Sequence, residues 1–269
     1  MRRVVVTGGS GFLGSRLVRA LLDQRINVKV IDTRYGELEG LRSRTNLEFV
    51  GIGSDEIVGG MTDSTLVAEA VTDVDVIYHL AINWNGASWK HKLPLADLFN
   101  TNIRGTLNLL EAAKSSNVKH LLFSSSAAVY GETERTLRLN HRGETGKATE
   151  ETVCRPELWD GDPGPAYAIL KFTTEKLCLM YHHRFGLPVT VFRIEYMFEG
   201  REELSDGANI HVEDVVKAFL LATLNKKAYG QVLNLADRTP YMSATRARRL
   251  LGWKPTKTVE FLSSARPEK

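Results

Sequence analysis

Cysteine is scarce: Cys154 and Cys178 are the only two in 269 residues. One pair gives no disulfide framework and no metal-ligand spacing, so no metal is expected and a reducing, cytoplasmic setting is. Long apolar runs are missing too, and none approaches the roughly 20 residues that span a bilayer. The start MRRVVVTGG has only three valines and a threonine between its arginines and its glycines. That is too short for the apolar region of a signal peptide and reads as a first strand. Charge of one sign is lacking as well, with a formal net charge of +3. The basic cluster of Arg246, Arg248 and Arg249 falls on a predicted amphipathic helix with no RNA- or DNA-binding motif beside it, so no nucleic-acid partner is expected. Internal repeats and low-complexity tracts are absent.

What is present is the composition of a soluble globular protein, 43% hydrophobic and 25% charged. Short β-branched runs alternate with helix-period segments. Strands are expected at RVVV (Arg3 to Val6), VKVI (Val28 to Ile31), LEFV (Leu47 to Val50), DVIYHLA (Asp75 to Ala81), HLLFSSS, VTVFRI and QVLNLA. Helices are expected at FLGSRLVRALLDQ, over LADLFNTNIRGTLNLLEAAKSS, from about Ala166 to Phe185, and over VEDVVKAFLLATL. The alternation implies crossover connections and a parallel sheet with helices on both faces, an α/β doubly wound fold. Unbroken apolar strands fit a sheet covered on both sides. In such folds ligands bind outside the carboxyl ends of the strands. The positions to inspect are Thr7 to Gly14, Asp32, His79 to Ile82 (Leu80 and Ala81 among them), Ser124 to Ser126, and Arg193 onward.

The segment TGGSGFLG puts Gly8, Gly11 and Gly14 between the first strand and the first helix. Glycines there permit a tight turn and let the backbone approach a pyrophosphate. The helix start around Phe12 and Leu13 offers N–H groups and a partial positive charge to the phosphates. Asp32, at the end of the second strand, lies 18 residues beyond Gly14. A carboxylate there accepts hydrogen bonds from both ribose hydroxyls and repels a 2′-phosphate, which favours NAD over NADP. Arg34, two residues on, argues the other way.

In YAILK, Tyr167 and Lys171 are four residues apart and share a helix face. A lysine ammonium one turn away favours the ionised phenol and makes it a better proton acceptor. His211 with Glu213 and Asp214 suggests a metal at first sight, but the segment opens a helix whose N-terminus suits those acids. His182 and His183 read as helix-surface residues.

Taken in order, TGGSGFLG, VIDTR, DVIYHLA, NIRGTLNLLEAA, FSSSAAVYG, YAILK, IHVEDVVKAF and ARRLLGWKP resemble the extended short-chain dehydrogenase/reductase family, of the NAD-dependent epimerase/dehydratase type. The resemblance implies a Rossmann-like doubly wound sheet: residues 1–195 as an NAD-binding domain, and 196–269 as a small substrate-binding portion interleaved with returning Rossmann elements. It implies Ser126, Tyr167 and Lys171 as the catalytic trio, with Asn102 in support and Lys171 also at the nicotinamide ribose. A homodimer through the helices around Leu95 to Ser115 and Ala166 to Phe185 is implied too. Family members that dehydrate or decarboxylate sugars carry acidic residues just after the catalytic Ser or Thr. Ala127 and Ala128 stand there in this chain, which argues against those two reactions.

The chain also departs from the family. Tyr196 stands near an expected asparagine, and ten residues separate Gly200 from His211 where relatives build a substrate lobe. Arg193 and Arg201 are left as candidates to meet a substrate phosphate. Trp84 and Trp89 follow the fourth strand, where an aromatic ring can stack on a base or sugar or close over a core. An aspartate that would meet the adenine amino group is Gly60 here, with Asp63 three residues on as its substitute. The expectation is therefore an NAD-dependent oxidoreductase or epimerase acting on a sugar-like secondary alcohol. The alternatives are a reductase of a small carbonyl compound, and a nucleotide-sensing or scaffold protein of the same fold without turnover.

Overall fold

The computed structural model describes residues 3–53, 60–83, 95–131, 147–159, 161, 164–199, 209–237 and 242–257. Their strands are β1 (Arg3–Thr7), β2 (Asn27–Ile31), β3 (Leu47–Val50), β4 (Val76–His79), β5 (His120–Ser126), β6 (Val189–Ile194), β7 (Tyr196–Phe198), β8 (Asn209–His211) and β9 (Gln231–Leu235). The helices are α1 (Phe12–Asp23), α2 (Ser64–Val71), α3 (Leu95–Phe99), α4 (Gly105–Ser115), α5 (Pro165–Phe185), α6 (Val212–Ala222) and α7 (Thr245–Leu251). Seven strands form one parallel sheet in the order β3-β2-β1-β4-β5-β6-β9, as the doubly wound reading requires. The pairing of β7 with β8 is a separate parallel ladder that the sequence pattern does not announce.

Successive residues of each strand enter opposite layers. Val4, Val6, Val28, Val30 and Tyr78 pack with Leu17 and Leu21 of α1 and Phe219 of α6. Val5, Ile31, Ile77 and Phe123 pack with Val67 of α2, Leu109 of α4 and Tyr181 of α5. Both sides being covered, the strands need apolar residues at every position, and each such burial contributes ~1.5–3 kcal/mol. The chain runs from β1 outward to β3, then returns to the other side of β1 at β4. The strand order reverses there, which opens a crevice at the carboxyl ends of β1 and β4, where Thr7 pairs with His79.

Helix boundaries follow local chemistry. α5 starts with Pro165, whose fixed φ suits a first turn, and stops at Gly186, whose φ of +73° is the left-handed cap that glycine adopts without strain. Its N–H returns to the His182 carbonyl at 3.0 Å. α7 ends at Gly252, and the next residue, Trp253, is fully buried and donates to the Asp214 carbonyl of α6 at 2.8 Å. The Asp214 carboxylate accepts from the Thr256 and Lys257 amides at 2.8 and 2.9 Å, so it fixes the chain after α7.

The helix expected over Leu95 to Ser116 is interrupted by a π turn at Asn100–Arg104. The cause is the Asn102 side chain. Its Nδ2 donates to the Leu98 carbonyl at 2.8 Å and to the Asn83 carbonyl at 2.7 Å, while its Oδ1 accepts from the Asn83 amide at 2.8 Å. An amide that reaches both the helix and the loop after β4 disturbs the regular ladder.

Candidate active site

At the end of β1 the glycines have distinct jobs. Gly8 has φ +68°, and a Cβ there would lie 2.7 Å from the Ala81 backbone. A Cβ on Gly14 would lie 2.2 Å from the Gly8 carbonyl oxygen, so only glycine lets α1 sit this close to the turn. Gly11 differs: a Cβ there would meet only the Gly8 oxygen, at 3.5 Å. Nothing in the protein's own packing demands a glycine at 11, and its bare backbone opens the start of α1. No side chain caps that helix, and the first-turn N–H groups, Phe12 and Leu13 included, have no acceptor within the helix. Ser10 Oγ is buried with no hydrogen-bond partner among the described residues. Asp32 accepts from the Ser10 amide at 2.9 Å and from the Thr33 amide at 2.8 Å, which ties the end of β2 to the glycine loop. An uncapped helix start, an orphaned hydroxyl and a carboxylate at the next strand end fit a dinucleotide.

On the other side of the crevice a buried column sets the geometry. Thr106 Oγ1 donates to the Asn102 carbonyl at 2.6 Å and lies 2.9 Å from His79 Nε2. Its proton being used, it accepts from His79, which makes Nε2 the protonated nitrogen. Thr7 Oγ1, 2.8 Å from Nδ1, then donates to His79 and accepts from the Ala81 amide at 3.1 Å. The Leu80 amide goes to the Thr7 carbonyl. Burial, with the charge of Lys171 adding to it, lowers the His79 pKa to about 3, so the ring is neutral. Sequence reasoning marked His79 only as a strand-end position. Thr7, its partner on β1, was marked in the same way, and Thr106 carried no signal.

Ser126 closes β5. Its Oγ accepts from the Ala128 amide at 3.1 Å and is close enough to the Tyr167 hydroxyl to favour its ionised form. Lys171, one turn along α5, is 3% exposed and donates to the Ser124 carbonyl at 2.7 Å. Its Nζ lies 5.8 Å from the Tyr167 ring centre. The three residues of the expected trio are thus in one cluster, but the expected lowering of the phenol pKa is not found. Burial raises the Tyr167 pKa, and the neighbouring Ser126 hydroxyl offsets this only in part. Burial also lowers the Lys171 pKa to about 7. Both groups are held toward their neutral forms, because each is buried and the lysine faces a carbonyl in place of a carboxylate.

Arg193 is a correction. Expected to meet substrate, it lies 2% exposed beneath the mouth, its Nε donating to Glu175 Oε2 at 3.0 Å and its Nη2 to Oε1 at 2.6 Å. Nη1 donates to the Tyr130 hydroxyl at 2.9 Å. Odd-numbered residues of β6 face α5, and that alternation aims Arg193 at the helix. Asp63 caps α2, its Oδ1 accepting from the Thr65 and Leu66 amides at 2.9 and 3.0 Å. At Gly60 a Cβ would stand 3.3 Å from the Gly51 Cα, which leaves little room for a larger residue. His211 caps α6, its Nδ1 accepting from the Glu213 amide at 3.2 Å. His182 is half-buried, Nδ1 2.9 Å from the Leu187 carbonyl, while His183 is exposed. Trp84, Trp89 and Arg201 lie outside the described residues.

The fold and this cluster define a doubly wound nucleotide-binding protein with a Ser–Tyr–Lys constellation. The chain belongs to the NAD dependent epimerase/dehydratase family, whose model matches residues 4–204, and NAD is the cofactor of that family. It is 31% identical over 206 residues to the uncharacterized UDP-glucose epimerase YtcB of Bacillus subtilis, covering 74% of this chain and 58% of that protein. It is 33% identical over 227 residues to UDP-glucuronic acid decarboxylase 1 of Arabidopsis thaliana, covering 83% and 45%. The chain thus spans about half the length of these two relatives. The crystal structure of UDP-glucuronic acid 4-epimerase from Bacillus cereus in complex with NAD is similar in fold, with a TM-score of 0.71 at 22% identity over 95% of this chain and 94% of that one. A decarboxylase among the relatives means that kinship does not support the exclusion read from Ala127 and Ala128.

Proposed function

We propose that this chain is an NAD-dependent oxidoreductase or epimerase that acts on a secondary alcohol of a sugar or nucleotide sugar. The observation that carries the reading is the cluster of Ser126 and Tyr167 with Lys171 one helical turn away, its Nζ 5.8 Å from the Tyr167 ring, at the carboxyl edge of the sheet that bears the glycine loop. The glycine loop, the first turn of α1 and Asp32 would hold NAD, with Lys171 at its nicotinamide ribose. When bound, NAD supplies the acceptor and donor for the hydride of the substrate carbon. Ser126 orients the substrate oxygen, and Tyr167 takes the hydroxyl proton and later returns it. The Lys171 ammonium, turned from the Ser124 carbonyl, stabilises the phenolate.

The reading includes a cytoplasmic setting, in keeping with free thiols at Cys154 and Cys178. Among the described residues no helix is long and apolar enough to cross a membrane. It also includes a homodimer through α3, α4 and α5, in keeping with exposed Leu95, Phe99, Met180 and Phe185. Sedimentation as a monomer at micromolar concentration would remove that part.

The test is incubation of the full chain with NAD and a panel of UDP-hexoses and UDP-uronates, with products identified by NMR and NADH by absorbance. An epimerised sugar or a stoichiometric oxidation supports the reading. A pentose product with carbon dioxide would replace it with decarboxylation. The ten residues between Gly200 and His211 favour a second reading, reduction of a small carbonyl compound. It would appear as NADH consumption with small aldehydes or ketones and none with nucleotide sugars.

A further inference from the structure

The Tyr167 and Lys171 stripe of α5 continues to Glu175, another four residues on and fully buried. Three consecutive residues of β5 meet the stripe. Ser126 neighbours Tyr167, the Ser124 carbonyl accepts from Lys171, and Ser125 Oγ donates to Glu175 Oε2 at 3.2 Å. A carboxylate four residues from a lysine on one helix face is its natural ion-pair partner, and in a buried setting the attraction is strong. Yet Lys171 bonds a neutral carbonyl. Arg193 takes both carboxylate oxygens in a bidentate pair, the geometry for which a guanidinium is built.

We propose that Arg193 is a positioning residue whose grip on Glu175 keeps that carboxylate from Lys171 and leaves the lysine charge available to Tyr167. The proposal rests on Lys171 serving Tyr167 as described above. The titratable groups that face Lys171 are Tyr167 and Glu175 on its own helix, His79 from β4, and Arg193 from β6 behind Glu175. Of these His79 is neutral, and Glu175 is balanced by Arg193, with the exposed Lys176 ammonium also 3.5 Å from its Oε1, so burial alone governs the amine. Arg193 is held in turn by the Tyr130 hydroxyl, itself 2.8 Å from Asn234 Oδ1 on β9. The grip is therefore anchored to the sheet.

The experiment follows the side-chain resonance of Lys171 by NMR across pH in the full chain labelled at lysine, assigned with Lys171→Met. Arg193→Met frees Glu175 to turn to Lys171 and raises the pH at which the amine titrates by about one unit or more. Glu175→Gln leaves the buried guanidinium uncompensated and lowers it by about as much. The double variant restores a neutral interior and returns the titration toward wild type. A merely structural pair would move both single variants the same way, or neither, and either outcome overturns the proposal. Should Arg193→Met fail to fold, Glu175→Gln still decides: a downward shift supports the proposal, and an unchanged or raised value defeats it. Turnover is not read, so a wrong choice of substrate leaves the test intact.

Discussion

Lys171 donates its buried ammonium to the Ser124 carbonyl at 2.7 Å, and among the described residues no carboxylate pairs with it. Burial takes its pKa from 10.5 to about 7, so the folded state disfavours the charged form. Between about pH 7 and 10.5 the unfolded chain therefore holds a proton that the folded chain has released. The resulting destabilisation is complete below about pH 7 and fades as pH rises from there to 10.5. Lys171→Met should accordingly raise the melting temperature at pH 7 by several degrees, from an upper bound of about 4 kcal/mol. The gain should shrink steadily toward pH 10. Thermal unfolding of both proteins across that range checks it, and a gain independent of pH would mean that the lysine is solvated.

His79 and His120 act in the same direction, on the acid side of neutrality. Burial takes each to about 3, with Lys171 adding to the effect at His79 and His182 at His120. Above pH 6.5 both states are neutral. Below it the unfolded chain takes up two protons that the folded chain refuses, so stability falls as pH drops from 6.5 toward 3. The slope is about 2.7 kcal/mol per unit for two protons. Urea unfolding between pH 7 and 5, above the range where carboxylates titrate, should show the midpoint falling steeply. His120→Asn should remove about half of the slope.

Tyr167→Phe deletes the hydroxyl beside Ser126 and little else. Turnover should fall by roughly 10²–10⁴-fold, the usual contribution of a positioned acid–base group. NAD affinity by calorimetry should stay within a factor of about three, since the ring and Lys171 remain. A variant that keeps full activity would remove Tyr167 from the mechanism.

Much of this was legible because it is local. The glycine turn, Asp32 at a strand end and the four-residue step from Tyr167 to Lys171 are short-range patterns, and the structure keeps them together. Arg193 was misread for a tertiary reason. A strand end suggests the mouth of the site, but alternation along β6 turns that side chain under α5, where Glu175 waits. Glu175 itself was within reach, eight residues after Tyr167 on the same stripe. Asp63 had a readable alternative too, since an aspartate before Ser-Thr-Leu-Val is a helix N-cap pattern. The π turn at Asn102 was not legible, because its cause is a bond to Asn83 that only the assembled sheet brings close.

Asp32 ties two of its bonds to Ser10 and Thr33 and stands half-exposed at the end of β2. Its replacement by alanine removes both an acceptor for ribose hydroxyls and the charge that repels a 2′-phosphate. NAD affinity should drop by about tenfold, the equivalent of ~1.4 kcal/mol, while the preference for NAD over NADP narrows. Calorimetric titration with each dinucleotide measures both, and an unchanged preference would mean that Arg34 or another group sets it.

Gly11 and Gly14 separate two reasons for a glycine. A Cβ at 14 would stand 2.2 Å from the Gly8 oxygen, a distance that forces the turn and α1 apart. Gly14→Ala should therefore destabilise the fold by more than about 2 kcal/mol, well above the usual effect of a substitution, and melt several degrees lower before any ligand is added. A Cβ at 11 would meet only that same oxygen at 3.5 Å, an ordinary contact, and the φ of −83° there suits alanine. Gly11→Ala should keep the melting temperature within about two degrees. If Gly11 is bare so that a pyrophosphate can reach the N–H groups of α1, the same methyl should weaken NAD binding at least about tenfold. Stability retained with affinity lost is the signature of a backbone kept open for a ligand. Undiminished NAD affinity in Gly11→Ala would show that the dinucleotide does not approach the helix start at this position.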